Sequence, residues 1–226
     1  MEQCIVCKSE LSQPSESSRF DEQQHYDCPR CGKFSLTGTA QAMLRSLLAK
    51  APHQDSLLSH LIRRMQGNER RPLLDSEVLT TLLAGRTLPK PGEQARNLLI
   101  WLGEAMTSSA DPMPVTFDEL QSITGPANQR GVIYITDHLR EQNLIQTRIP
   151  DPGKLEMHVN LTFNGWEEYE RIKVTAPDSK VAFMAMRFND KELDRVVENI
   201  LRPAVAATPN TISVVSEGLA IRVPVS

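Results

Sequence analysis

Between Thr39 and Gly85 the apolar residues return every three or four positions, which is the period of a helix lying on a core. "TAQAMLRSLLAKA" places Ala42, Leu44, Leu47 and Leu48 on one face, and "SLLSHLIRRM" repeats the pattern. "DSEVLTTLLAG" adds a third helix, with Asp75 or Ser76 as N-cap and Gly85 as the stop. The two prolines of "TLPKPGE" make a stiff turn. "EQARNLLIWLGEAM" then turns Ala95, Leu98, Leu99, Leu102 and Met106 inward, with Trp101 as an anchor. Further along, "TFDELQSITG" predicts a short helix capped by Thr116, with Glu119 in the capping-box position. "PANQRGVIYITDHLREQNLI" predicts a longer one with Val132, Ile135 and Leu139 inside. "IQTRI" and "EMHVNLTF" alternate as strands about the turn "PDPGK", a hairpin signal, and "NGWEEYERIKV" returns to helix. "KVAFMAMRFND" is apolar on both faces, as in a strand buried inside a parallel sheet. The helix after it presents Leu193, Val196, Val197, Ile200, Leu201 and Val205 inward.

The patterning predicts a multidomain α+β chain: 1–38 a small cysteine-bearing module, 39–110 a helical segment, 111–175 helix, helix and hairpin, and 180–226 the opening of an α/β domain. At 226 residues, with 40% hydrophobic and 23% charged residues, the composition is that of an ordinary soluble globular protein. No apolar run approaches the ~20 residues that span a bilayer, so no membrane partner is expected. The start of the chain, with Glu2 and Cys4, lacks a basic and then apolar leader, so the expected location is the cytoplasm. The net charge of -3 gives the whole molecule no general attraction for nucleic acid. Its distribution is uneven, with eight Lys/Arg against four Asp/Glu over 40–92, and six against ten over 111–174.

The most specific chemistry lies at the start. Cys4-Ile-Val-Cys7 and Cys28-Pro-Arg-Cys31-Gly32 form two C-x-x-C knuckles separated by 20 residues, the spacing of a four-cysteine structural Zn2+ site. Each knuckle turns tightly enough to aim two thiolates at one ion, Pro29 shapes the second, and Gly32 supplies the backbone freedom at its end. The segment between the knuckles holds too few apolar residues for a core, so a metal is expected to supply most of the module's folding energy. Two disulfides are the alternative, against which a cytosolic setting and clustered C-x-x-C pairs both argue. His25 is an alternative ligand or an exposed loop residue. Four thiolates close the coordination shell, so the expected ion is structural and inert.

Two candidate nucleic-acid surfaces follow. Arg63, Arg64, Arg70 and Arg71 could grip phosphates, or form a solvated cationic face at a helix C-terminus. Helix, longer helix and hairpin over 111–175 is the order of a winged helix-turn-helix. Its second helix would present Asn128, Gln129, Arg130, Tyr134 and His138, and Asn, Gln and Arg are side chains that read base edges. Asp137, Glu141 and the segment's net charge of -4 oppose a DNA partner, and winged helices also serve as protein-binding or homodimerising modules.

"VAFMAMRF", an acidic loop and "LDRVVENILRPAV" together resemble the opening of bacterial TIR-like, nucleoside 2-deoxyribosyltransferase-like domains. "LPKPGEQARNLLIWLGE" and "LTFNGWEEY" are similar to the leader of that family, in which a zinc ribbon and a winged helix precede the catalytic-type domain. The resemblance implies an NAD- or nucleotide-directed N-glycosidase or ribosyltransferase in phage defence. Arg187, Asn189 and Asp190 would lie where the nucleotide binds at the strand's C-terminal end, or else simply form the turn and cap. The family's carboxylate lies further downstream. Here "TPNTISVVSEGLAIRVPVS" follows, with one strand around Ile212 to Val215 and with Glu217 outside any motif. The expectation is therefore an incomplete TIR-like domain behind a regulatory portion that has no catalytic site of its own. The rivals are a complete small αβ cap, an active small enzyme, or a winged-helix DNA-binding transcription regulator with structural zinc. Met184 and Met186 read as core filler.

Overall fold

The computed structural model describes residues 2–17, 22–66, 71–108, 111–149, 156–175, 181–184, 211–216 and 219–220. Contacts divide the chain into two compact units, Met1–Tyr169 and Glu170–Ser226. The class is mixed α+β.

In the first unit, strands β1 (Glu16–Ser17), β2 (Gln23–Cys28) and β3 (Gly32–Thr37) form an antiparallel ribbon whose last pair, Cys28 opposite Gly32, closes the second knuckle. Thr37 then caps helix α1 (Gly38–Leu48), accepting from the Ala40 amide. Helix α2 (Gln54–Met65) follows. The short strand β4 (Leu73–Leu74) runs parallel to β3 and completes the sheet order β1-β2-β3-β4. Helix α3 (Ser76–Leu83) starts where the Asp75 carboxylate accepts from the Val78 amide and stops before Gly85, whose φ of +65° only a residue without Cβ adopts readily.

The knuckles do not fold on metal alone. Val6, Leu11, Tyr26, Phe34 and Leu36 form one continuous core with Leu44 and Leu47 of α1, Leu58 and Ile62 of α2, Leu74, and Leu79 of α3. Tyr26 and Phe34 stack across the β2–β3 pair with ring centroids 5.0 Å apart. The poverty of apolar residues between the knuckles is offset by helices further along the chain, which close over the ribbon. One register differs from the expected face: Ala40 is buried in the shared core and Ala42 is exposed.

Helix α4 (Pro91–Ala105) opens with Pro91 in its first turn and the Glu93 carboxylate accepting from the Lys90 amide. Leu98, Leu99 and Leu102 are buried; Ala95 and Met106 are half-buried, at the margins of the face. Strand β5 (Met113–Thr116), which the sequence pattern did not suggest, pairs antiparallel with β7. It is four residues long and contains Pro114, too short and too irregular for an alternation signal, and it sits at a sheet edge where proline is tolerated. Helix α5 (Phe117–Thr124) is capped by Thr116, which accepts from the Glu119 amide. Helix α6 (Gln129–Glu141) buries Val132, Ile135, Thr136 and Leu139. Strands β6 (Ile145–Arg148) and β7 (Glu156–Leu161) pair antiparallel, giving the order β5-β7-β6. Helix α7 (Phe163–Thr175) follows, and Tyr169 lies so close to Gly103 of α4 that a Cβ there would come within 2.5 Å of its ring.

The α5–α6 turn depends on Gly125, at φ +87°, where a Cβ would come within 2.6 Å of Pro89 and 3.0 Å of the His60 ring. In the second unit, β8 (Val181–Met184) runs parallel to β9 (Thr211–Ser216), and β10 (Leu219–Ala220) pairs antiparallel with β9. The helix expected after β8 lies outside the described residues. Among the described residues no helix is long and apolar enough to cross a membrane.

Candidate metal centre and the helices around it

The two knuckles are built alike. In the first, the Cys4 carbonyl accepts from the Lys8 amide at 3.0 Å, and Lys8, the residue after Cys7, takes a φ of +65°. In the second, the residue after Cys31 is Gly32 at φ +77°, and the Cys31 amide donates to Cys28 Sγ at 3.3 Å. The left-handed residue that Gly32 announces in the sequence thus has a counterpart at Lys8, where no glycine marks it.

These turns bring Cys4, Cys7, Cys28 and Cys31 together with every sulfur within 4.8 Å of the others. Cys4 and Cys31 are 3.9 Å apart, and Cys7 and Cys28 are 3.4 Å apart. Tetrahedral binding with metal–sulfur bonds of about 2.3 Å requires sulfurs about 3.8 Å apart, so the set fits one ion with little adjustment. All four are buried and all are free thiols, so the two-disulfide alternative does not describe this centre. Nor does His25 join it; its Nδ1 is 2.7 Å from Ser35 Oγ on the neighbouring strand. Four buried cysteines could therefore hold a metal ion, with no coordination position left for a substrate.

Without a cation the four sulfurs cannot all ionise. Burial pushes the Cys31 thiol well up, while hydrogen bonds from Cys28, Cys31 and Cys4 hold Cys7 far below the ordinary thiol range. Hydrogen bonding to Cys28 likewise raises Cys4. A divalent ion would stabilise all four thiolates, and its binding would release protons.

Helix α2 grips the second knuckle along one stripe. Arg30 Nη2 donates to Ser56 Oγ at 2.8 Å, and Cys31 Sγ lies 3.2 Å from Ser59 Oγ. Arg63 Nη2 donates to the Pro29 carbonyl at 2.9 Å, and Gln66 Nε2 donates to the carbonyls of Cys31 and Lys33. Residues 56, 59 and 63 are spaced by three or four, hence share a helix face, and Gln66 follows as the C-cap. A metal-bound Cys31 thiolate would accept a hydrogen bond from the Ser59 hydroxyl, the outer-shell contact that tunes a metal site.

The same helix holds α5. His60, 2% exposed, has Nδ1 2.7 Å from the Ser122 carbonyl, so its neutral ring donates there. Burial lowers its pKa, with Arg64 adding repulsion. Arg63 also donates to Ser122 Oγ and pairs with Glu119 at 3.1 Å. Sequence patterning reads Arg63 as a phosphate grip or part of a solvated cationic face and assigns no role to Ser56, Ser59, His60 or Gln66. The signal that could have exposed them is the second, polar periodicity of Ser56, Ser59, Arg63 and Gln66.

The remaining candidates scatter. Arg63 is committed internally, Arg64 is exposed at the end of α2, Arg71 donates to the Tyr26 carbonyl, and Arg70 lies outside the described residues. On α6, Asn128 is the N-cap, accepting from the Gly131 amide, and Gln129 donates to Asp118 Oδ1. Arg130, Tyr134 and His138 share the exposed face with Ile133; Tyr134 is 64% exposed, and His138 contacts Gln142. Asp137 pairs with Arg140. Arg187, Asn189, Asp190 and Glu217 lie outside the described residues. Comparison with protein-family models, with curated proteins and with solved structures finds no match.

Proposed function

We propose that this chain is the sensing and regulatory portion of a bacterial TIR-like effector directed at NAD or a nucleotide, working in the cytoplasm in phage defence, with Zn2+ at the four-cysteine centre. The observation that carries the reading is the closed, four-thiol centre tied through α2 to a helix-turn-helix, an arrangement for holding shape with no place for a substrate on the ion. In this reading residues 1–38 are a zinc ribbon and 111–175 a winged helix, with which the order β5, α5, α6, β6, β7 agrees. The parallel β8–β9 pair supports an α/β beginning after residue 180, as the resemblance of "VAFMAMRF" implies. Hydrolysis of NAD and a panel of nucleosides, measured beside zinc content on one sample, tests it. One zinc per chain without turnover is expected; turnover lost on Asp190→Ala or Glu217→Ala would make the chain an enzyme.

A second reading, a DNA-binding regulator, is favoured by one observation. Gln129, Arg130, Tyr134 and His138 line an exposed helix face behind a capped turn, the placement from which such residues reach base edges. Fluorescence anisotropy of the full chain with duplex DNA at stepped salt decides between the two. Affinity that falls as salt rises and weakens with Arg130→Ala supports this reading, and no measurable binding ends it.

A further inference from the structure

The geometry points to a switch: the occupancy of the four-cysteine centre sets the order of the α5–α6 helix pair, transmitted directly through Ser9 and by way of α2. Three hydrogen-bonded routes leave the knuckles and end on that pair. From the first knuckle, Ser9 Oγ donates to Asp118 Oδ2 at 2.9 Å, and the other oxygen of Asp118 accepts from Gln129 at the start of α6. From the second, Arg30 donates to Ser56 Oγ, whose hydroxyl donates at 3.0 Å to the Ala127 carbonyl in the α5–α6 turn. The third is Arg63, whose one guanidinium holds the Pro29 carbonyl of the knuckle together with Glu119 and Ser122 of α5.

Each route begins on a residue within two positions of a cysteine ligand. Those residues keep their places only while the knuckles keep their shape, and an ion that fixes four thiolates fixes the knuckles. The endpoints are equally specific: the first turn of α5, the turn into α6 and the first residue of α6. The other bonds on α5 lie at its later turns and do not touch the knuckles: His60 Nδ1 donates to the Ser122 carbonyl, Asn97 Nδ2 donates to the Thr124 carbonyl, and Gln121 and Thr124 bond locally to Pro126 and Leu120. The far side of the helix pair rests on apolar packing with α4 and the β5-β7-β6 sheet, which does not pass through the knuckles. Emptying the centre therefore loosens the exposed N-terminal end of α6, where Gln129 and Arg130 stand, ahead of the sheet. The metal centre is a device for presenting or withdrawing that face, whatever the face binds. This inference needs metal at the four cysteines and is independent of the identity of any effector.

Hydrogen–deuterium exchange of the full zinc-loaded chain, before and after chelation, tests the switch. Amides of residues 117–134 should lose protection by a factor within the range of about 5 to 150 usual for coupled sites, while β7 changes less. In Ser56→Ala and in Arg63→Met, each still carrying one zinc, that response should shrink. Unchanged protection at 117–134 once zinc is gone overturns the proposal. So does equal loss across α4, β7 and α5, which would make the ion a general staple. Should Arg63→Met not fold, Ser56→Ala alone decides, since it deletes one route and leaves the packing intact.

Discussion

The four cysteines and the arginines between 63 and 71 are the two densest groups of functional residue types in the chain, and the fold treats them oppositely. The cysteines lie up to 27 positions apart in sequence and converge on one point. The described arginines are near neighbours and diverge: Arg63 turns into the interior, Arg64 faces solvent, and Arg71 reaches back to the Tyr26 carbonyl. Residues recruited to one ion must meet whatever their spacing, and two short C-x-x-C turns enforce half of that meeting locally. Adjacent residues on a helix point about 100° apart, so a run of like charges is divided between faces by the helix itself. Clustering in sequence is therefore good evidence of a site only when the local geometry brings the side chains together.

The largest effect should come from breaking the convergence. Cys28→Ser should abolish stoichiometric zinc and cost more than about 5 kcal/mol, part of the ~10–16 kcal/mol a structural zinc supplies in small modules. Metal analysis beside urea denaturation measures both. Next comes the contrast among arginines. Arg63→Met strips donors from Pro29, Ser122 and Glu119 and should cost about 2 kcal/mol, whereas Arg64→Met should stay within about 0.5 kcal/mol. Equal costs would mean that the internal commitment of Arg63 adds nothing.

His60 extends the comparison to pH. Burial holds its folded pKa below the unfolded value of about 6.5, so above that pH the ring is neutral in both states and contributes no pH dependence. As pH falls below it, the unfolded chain takes up a proton that the folded chain refuses. Stability should drop by at most about 1.4 kcal/mol per pH unit until the folded pKa is passed. Urea midpoints compared at pH 7 and at steps below pH 6.5 should show less of this slope in His60→Asn, which keeps a donor toward Ser122. Smaller still, Ser59→Ala should cost about 1 kcal/mol and weaken zinc binding about 10- to 100-fold in a chelator competition.

Much of the architecture was legible from patterning because local rules governed it. Thr116 and Asp75 cap their helices, Gly85 ends α3, and Val132, Ile135 and Leu139 face inward. The alternation of "EMHVNL" emerges as β7 with every second residue buried. What escaped was nonlocal. Strand β5 exists because β7 offers it an edge, and Ala40 stands in the core in place of Ala42 where α1 packs against the ribbon. The polar stripe of α2 was unreadable in advance because each of its partners lies at least 26 residues away in the chain.

The sequence by itself determined the four cysteines that could hold a metal ion, since two C-x-x-C turns specify their own thiol geometry. It determined too the caps and apolar faces of most helices. Only the tertiary structure decided that the ribbon shares one core with α1, α2 and α3, and that one buried helix holds both the knuckles and α5, with Arg63 bonded to each. The physical reason is the range of the forces involved. Turn, cap and periodicity preferences act within a few residues and are written in them. A hydrogen bond between Arg63 and Pro29 becomes favourable only after burial of the apolar surface around it has brought the two together.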